Sequence, residues 1–152
     1  MDFGSDLSKI IYRGIGIGSS VWVYGYLLVR KDRYYIATRD ALDFMVISDA
    51  KATLNLIEVD PQTVGIYSHF QDCNDIKVFT GDVLETVVGG RVSIFSNEIR
   101  ALVVYDEDVG FYANGFCDIL PFEFRFCRIV GNIHDNPELL DGVDLSFPEE
   151  DE

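Results

Sequence analysis

The chain has 152 residues, of which 48% are hydrophobic, 25% charged and 13% aromatic, so we expect a packed protein rather than a disordered one. Twenty-six acidic residues outnumber 12 basic ones, and the net charge of −14 argues against direct nucleic-acid binding, which requires Lys and Arg to displace counterions from phosphates. No apolar run approaches the roughly 20 residues of a membrane-spanning helix, so no membrane partner is expected.

The start of the chain and its cysteines indicate a compartment. The opening MDFGSDLSK lacks the apolar segment of an export signal. Cys73, Cys117 and Cys127 form no C-x-x-C pair and cannot all pair within one chain. Reduced thiols in a bacterial cytoplasm are the simplest interpretation, so we predict a cytoplasmic protein.

A weak strand at residues 8–13 is followed by GIGIGSS, residues 14–20. A dinucleotide site would need a helix after these glycines, whereas an apolar strand follows. We therefore expect no cofactor.

The strongest strand signal is a hairpin over residues 19–38, SSVWVYGYLLVRKDRYYIAT. Apolar side chains occupy odd and even positions alike, which is typical of strands covered on both faces. Arg30–Arg33 forms the predicted turn, and Gly25 indicates a bulge or a close backbone approach. Five aromatic residues form a candidate interface with a protein partner or a second copy: Trp22, Tyr24, Tyr26, Tyr34 and Tyr35.

The rest of the chain reads mainly as short strands. Residues 39–55 are ambiguous between a short helix and a loop, and a strand at 54–59 ends before Pro61. Further strands are predicted within 63–87, after a Gly89-Gly90 turn, at 99–106 and at 109–116. FEFRFCRIVG, residues 122–131, alternates like a half-buried strand. Asn136 as a cap and Pro137 at the first position then predict a minor C-terminal helix.

Turn signals every 8 to 12 residues are typical of a small barrel or sandwich, so we predict a mainly β fold. The predicted regions are an N-terminal β-hairpin region over 1–60, an antiparallel barrel-like (SH3-like) region over 61–140 and an acidic, disordered tail over 141–152. This tail, DGVDLSFPEEDE, holds six acids and no base, and the remainder still carries −8. The acidic surface is either a solubilising one or a mimic of DNA phosphates.

Three motifs occur in an order that resembles the YopX-like family of phage and prophage proteins. They are Tyr12-Arg13-Gly14 followed by the WVYGYL and YYI strings, VDPQTVGIYSHFQDCNDIKVFTGDVL from Val59 to Leu84, and VGNIHDNPELL from Val130 to Leu140. The family pattern differs at Ile66, at Ser68–Phe70 and at the Asp72–Asp75 turn. The resemblance implies a mainly β fold with a barrel-like C-terminal part and a mobile-element origin, and it brings no catalytic residues.

Candidate chemical sites are weak. Gly81-Asp82 is interpreted as a glycine with unusual φ followed by an Asp that caps backbone N–H groups. Two histidines and three carboxylates are the only metal-like collection, and they lack ligand spacing: His69, Asp72, Asp75, His134 and Asp135. We predict no metal and no catalytic residue. The motif positions interpreted as structural are Gly65, Gly81, Asp82, Gly131, Asn132, Asn136 and Pro137.

These observations predict a non-enzymatic protein-interaction or regulatory module in a bacterial host, with an unknown protein partner or a second copy on the aromatic hairpin. The alternative is an acidic DNA mimic that inhibits a host DNA-handling or defence protein.

Overall fold

A computed structural model describes residues 11–38, 56–89 and 94–145. The chain divides into two compact units, Met1–Tyr67 and Ser68–Glu152. No helix in these three stretches is long and apolar enough to cross a membrane.

The first sheet contains six strands in the order β4-β3-β2-β1-β5-β6. Its strands are β1 Tyr12–Ile15, β2 Trp22–Arg30, β3 Arg33–Thr38, β4 Leu56–Val59, β5 Gly65–Gln71 and β6 Lys77–Phe79. The pairings among β1 to β4 and between β1 and β5 are antiparallel. Strand β5 begins in the first unit and ends in the second.

The predicted hairpin is present, with Arg30 opposite Arg33 across a two-residue turn. Lys31 and Asp32 have φ values of 51° and 64°, the left-handed geometry of tight hairpin turns. Gly25 is a close-approach position, because a Cβ atom there would lie 2.0 Å from the carbonyl oxygen of Ala37. The absent side chain therefore allows β2 and β3 to pack together.

The end of β1 also reaches the outer edge of β4. Gly16 bridges Val59, the Ile17 N–H donates to the Glu58 carbonyl at 2.9 Å, and the Asp60 N–H donates to the Ile15 carbonyl at 2.9 Å. This curl leaves Ile36, Ala37 and Val59 fully buried. The hydrophobic residues of β2, β3 and β4 are thus divided between a small interior and the surface.

The second unit contains a four-stranded antiparallel sheet in the order β10-β7-β8-β9. These strands are β7 Asp82–Thr86, β8 Arg100–Asp106, β9 Gly110–Gly115 and β10 Cys127–Asn132. One apolar cluster fills its core: Val78, Leu84, Ala101, Val103, Ala113, Ile119, Phe124 and Cys127.

The prediction of a mainly β fold is confirmed. The barrel-like, SH3-like C-terminal part is not, since β7, β8, β9 and β10 form an open four-stranded sheet. The sheet stays open because β9 and β10 lie at its two edges and do not pair with each other in the observed order.

The strand predicted at 122–131 is wrong in its first half, where Pro121–Phe126 is a 3-10 helix. The Glu123 side chain accepts a hydrogen bond from the Leu120 N–H at 2.9 Å and starts this turn. Three-residue turns place Phe124 in the core at 0% exposure and leave Phe122 62% exposed. Local capping therefore overrides an alternating pattern.

The minor C-terminal helix is also not confirmed, because Pro137–Leu140 forms a single 3-10 turn. Asn136 does not cap it; its Oδ1 accepts from the Asn132 N–H at 3.4 Å instead. The predictions for residues 8–10, for residues 39–55, for Gly90 and the start of the strand after it at 91–93, and for tail residues 146–152 lie outside the described residues.

Candidate functional site

The pairing of β2 with β3 distributes the aromatic residues of the hairpin over the two faces of the sheet. Leu28 pairs with Tyr35 and Val29 pairs with Tyr34. Directly opposed residues share a face, and successive residues alternate. One face therefore carries five large aromatic or aliphatic side chains, which we call the aromatic face: Trp22, Tyr24, Tyr26, Leu28 and Tyr35. Of the predicted aromatics, only Tyr34 lies on the opposite face.

The aromatic face is partly exposed. Tyr24 is 49% and Leu28 44% accessible, and the other three side chains are half-buried. Arg13, opposite Tyr24 in β1, is buried, and its guanidinium carbon lies 4.6 Å from the centroid of the Trp22 ring. This cation–π contact holds the indole against the sheet. The sequence analysis missed Arg13 because its place on this face depends on the pairing of β1 with β2.

Gly81 and Asp82 form the entrance to β7. Gly81 has φ 93°, its N–H donates to the Val103 carbonyl and its carbonyl accepts from the Ile133 N–H, both at 2.9 Å. Asp82 is buried, and its Oδ2 accepts from the Phe79 N–H at 2.8 Å. The carboxylate thereby holds the turn between β6 and β7.

The Gly131-Asn132 pair organises the loop after β10. Asn132 Oδ1 accepts from the backbone N–H groups of His134 and Asp135, at 3.0 and 2.9 Å. A Cβ at Gly131 would lie 2.5 Å from Asn136 Oδ1, so glycine permits this packing. Gly65, in contrast, lies in the first unit, where it pairs with Arg13. The motif positions are thus divided between the two units.

The metal-like collection is also dispersed. Asp72 is buried, with Oδ1 accepting from the N–H groups of Asn74 and Ile76 at 2.8 and 3.0 Å and Oδ2 accepting from that of Ile129 at 3.1 Å. Within residues 11–38, 56–89 and 94–145, no group of three or more His, Cys, Asp or Glu side chains could hold a metal ion. Asp72 is a loop-organising carboxylate.

A buried ion-pair row crosses the second sheet, and sequence reasoning missed it. Glu85 on β7 lies opposite Arg100 on β8 and Arg128 on β10. Arg100 Nε donates to Glu85 Oε2 at 2.9 Å, and Arg128 Nε donates to Oε1 at 3.0 Å, with a further contact from its Nη2. The Glu85 side chain is only 4% exposed, whereas the two arginines are about half exposed.

The two arginines of this row favour the ionised form of the Glu85 carboxyl group. Hydrogen bonds from Arg128 and then from Arg100 lower the pKa of its carboxyl, although burial opposes them. Both carboxylate oxygens are engaged, so Glu85 is poorly suited to carry protons in a reaction. Glu85 and its two arginines join β7, β8 and β10, and we call these three residues the Glu85 clamp.

An open cleft of about 300 Å³ lies beside the clamp. Arg100 Nη1 donates to the Leu139 carbonyl at 3.4 Å across it. The cleft is lined by Glu85, Glu98, Arg100, Leu139, Asp141, Gly142 and Val143. The cleft is shallow, and its ionisable lining residues are three carboxylates and one arginine. It therefore does not place a nucleophile beside a base.

The three cysteines are free. Cys127 is buried, and burial raises the pKa of its thiol to about 12. The pKa of the exposed Cys73 thiol is raised too, mainly by desolvation and then by the Asp72 carboxylate. A reactive cysteine needs a lowered pKa, so neither thiol has the properties of a nucleophile.

Comparison with known proteins supports the fold and the family resemblance. The family described as YopX protein matches residues 26–141. The crystal structure of protein EF1440 from Enterococcus faecalis is similar, with a TM-score of 0.54 at 15% identity over 86% of this chain and 97% of that chain. No curated protein matches the sequence. Since the family match covers most of the chain and agrees with the motifs between Trp22 and Leu140, this chain belongs to the YopX family.

Proposed function

We propose that the chain is a non-enzymatic protein-interaction module that acts in the cytoplasm of a bacterial host of a phage or prophage, with the aromatic face as its binding surface. The observation that carries the proposal is the clustering of Trp22, Tyr24, Tyr26, Leu28 and Tyr35 on one partly exposed face. Aromatic residues dominate the binding energy of protein interfaces. The Arg13–Trp22 contact fixes one of these anchors in advance, which lowers the entropy lost on binding.

The bonding of the buried carboxylates supports a binding role over a catalytic one. Asp72 and Asp82 accept hydrogen bonds from backbone N–H groups, and Glu85 is held by two arginines. A general acid or base must be able to exchange its proton with a substrate. These three acids instead maintain loops and strand pairing.

Two adjacent positions on opposite faces of β2 make a matched test. We expect Leu28→Ser to weaken partner binding or self-association at least tenfold, because Leu28 belongs to the aromatic face. Val29→Ser should retain it, although Val29 is 55% exposed, because its side chain lies on the other face. Pull-down from nuclease-treated host lysate measures the first property, and light scattering over a concentration series measures the second. Equal behaviour of the two variants would refute the role of the aromatic face.

The distribution of charge favours the acidic DNA mimic as a second candidate. Residues 68–152 hold 18 acids and 5 bases, a net −13, whereas residues 1–67 hold 8 acids and 7 bases, a net −1. The negative charge is therefore concentrated in one unit, as a phosphate-mimicking surface requires. In this second candidate, the acidic residues and not the aromatic face would supply most of the binding.

Salt dependence separates the two candidates. Binding through phosphate-like charges should weaken by orders of magnitude between low and moderate salt, as DNA binding does. Binding through the aromatic face should be nearly unchanged, since it depends on apolar burial. Washing the captured partner at two salt concentrations therefore assigns the interaction to one unit or the other.

A further inference from the structure

We infer that residues 116–122, which run from the end of β9 into the first turn of the 3-10 helix, form a second docking element, and that it inserts into an apolar pocket rimmed by Lys and Arg on a partner protein. We call this segment, FCDILPF, the apolar loop. It belongs to the second unit and is separate from the aromatic face, so the inference does not depend on the proposed function.

The apolar loop is held by hydrogen bonds at both ends. The N–H groups of Ala113 and Ile119 donate to each other's carbonyls, at 2.8 and 2.9 Å. In the second half of the loop, the Leu120 N–H donates to Glu123 Oε1 at 2.9 Å, and the Glu123 N–H donates to the Leu120 carbonyl at 2.8 Å. Ile119 and Phe124 are 1% and 0% exposed, and they anchor the segment in the core.

The outward side chains of the apolar loop contribute little to that core. Phe116 is 78% exposed, Phe122 62% and Leu120 48%. Three large apolar groups are thus exposed within seven residues of the chain, and exposed apolar groups that cluster mark interaction sites. Because the backbone is already fixed, binding would cost little conformational entropy. Phenylalanine rings presented in this way can act as anchors in a pocket.

Charge identifies the chemistry of the occupant. Asp118 is exposed within the apolar loop, which contains no basic residue, and the surrounding unit carries −13. A second copy would bring another highly acidic unit against this one, which like-charge repulsion disfavours. A pocket rimmed by Lys and Arg would match the phenylalanines, the exposed Asp118 and the net negative charge of the unit.

Site-specific photo-crosslinking tests the inference. p-Benzoylphenylalanine replaces Phe116 in one variant and Val109 in a control, since Val109 is 74% exposed in the β8–β9 turn of the same unit. Each variant is irradiated in lysate of the cells that carry the gene, and adducts are mapped by mass spectrometry. We expect one discrete adduct from position 116, at least tenfold above position 109, attached beside Lys or Arg residues and weakened by added salt.

Two further variants define the remaining outcomes. Phe122→Ser should lower the adduct yield at least tenfold without changing the thermal unfolding midpoint, because its ring is outside the core. Val29→Ser, at an exposed position that belongs to neither the aromatic face nor the apolar loop, should leave the yield unchanged. Absence of an adduct, equal yields at both positions, an adduct with a second copy, or a partner surface without basic residues would each overturn the inference.

Discussion

The two units place their apolar and charged residues differently. In the second unit, eight buried residues form one core cluster, and the sequence of the unit carries a net −13. The first unit is close to neutral at −1, and its β2 strand leaves Tyr24 and Leu28 exposed. High net charge keeps a surface soluble and repels other acidic surfaces, whereas a nearly neutral apolar face can approach them. The comparison separates a strongly acidic unit, whose exposed apolar residues include Phe116 and Phe122, from a nearly neutral unit, whose exposed apolar residues include Tyr24 and Leu28.

The largest expected effect tests the core of the second unit. Phe124→Ala removes a fully buried ring and should lower the free energy of unfolding by about 3–5 kcal/mol. Urea denaturation followed by circular dichroism measures the loss. Phe122→Ala is the control in the same 3-10 helix, and because its ring is 62% exposed it should change stability by less than about 0.5 kcal/mol. Similar losses would mean that the core is not organised as described.

Backbone packing of the first unit is tested by Gly25→Ala. The new Cβ would lie 2.0 Å from the Ala37 carbonyl oxygen, so β2 and β3 must move apart. We expect the free energy of unfolding to fall by about 2–3 kcal/mol. Trp22 is the only tryptophan and lies in this unit, so its fluorescence during urea unfolding reports the change. Gly18→Ala should be neutral, since no atom lies within 4 Å of a Cβ at that position. Neutrality of both variants would contradict the close approach.

The Glu85 clamp should contribute to the free energy of unfolding less than the buried Phe124 ring does and more than an exposed side chain does. Glu85→Gln leaves Arg100 and Arg128 without their charged acceptor and should cost about 1–3 kcal/mol at pH 7. Glu98→Gln is the control, because that side chain is 64% exposed and its contact with Arg128 is longer, at 3.6 Å. We expect this variant to lower the free energy of unfolding by about 0–1 kcal/mol.

The same clamp predicts a pH dependence. Its hydrogen bonds lower the pKa of Glu85 below the ordinary value of 4.5 in the folded state. The stabilisation is therefore complete above that value and is lost as the pH falls through the lower folded pKa. The difference in unfolding free energy between the native chain and Glu85→Gln should be constant near neutrality and shrink in acid. A difference that disappears on raising the pH would contradict the assignment.

The smallest effect on stability is expected on the aromatic face. Tyr24→Ser changes a side chain that is 49% exposed and should lower the free energy of unfolding by less than about 1 kcal/mol. Partner binding should fall much further than stability does. If urea denaturation showed a loss as large as that of Phe124→Ala, the tyrosine would be a core residue, and the contrast between the units would weaken.

Much of the local structure was predictable because it depends on neighbouring residues. The β2–β3 hairpin followed from apolar strands around the turn Arg30–Arg33, and the close approach at Gly25 was one of two interpretations of that glycine. The motifs also indicated the YopX family, which the match over residues 26–141 confirms. The 3-10 helix at Pro121–Phe126 was missed, although Pro121 and Glu123 carry its local signal, because alternating phenylalanines resemble a strand.

The sequence by itself determined the mainly β class, the hairpin, the acidic balance and the family, because composition, turn chemistry and short motifs are local properties. Only the tertiary structure decided that Tyr35 joins the aromatic face while Tyr34 leaves it, and that Glu85 meets Arg100 and Arg128. The physical reason is strand register. A shift of one residue moves every side chain to the other face. For Glu85, the pairings that set the register join residues that are 15 and 43 positions apart in the chain.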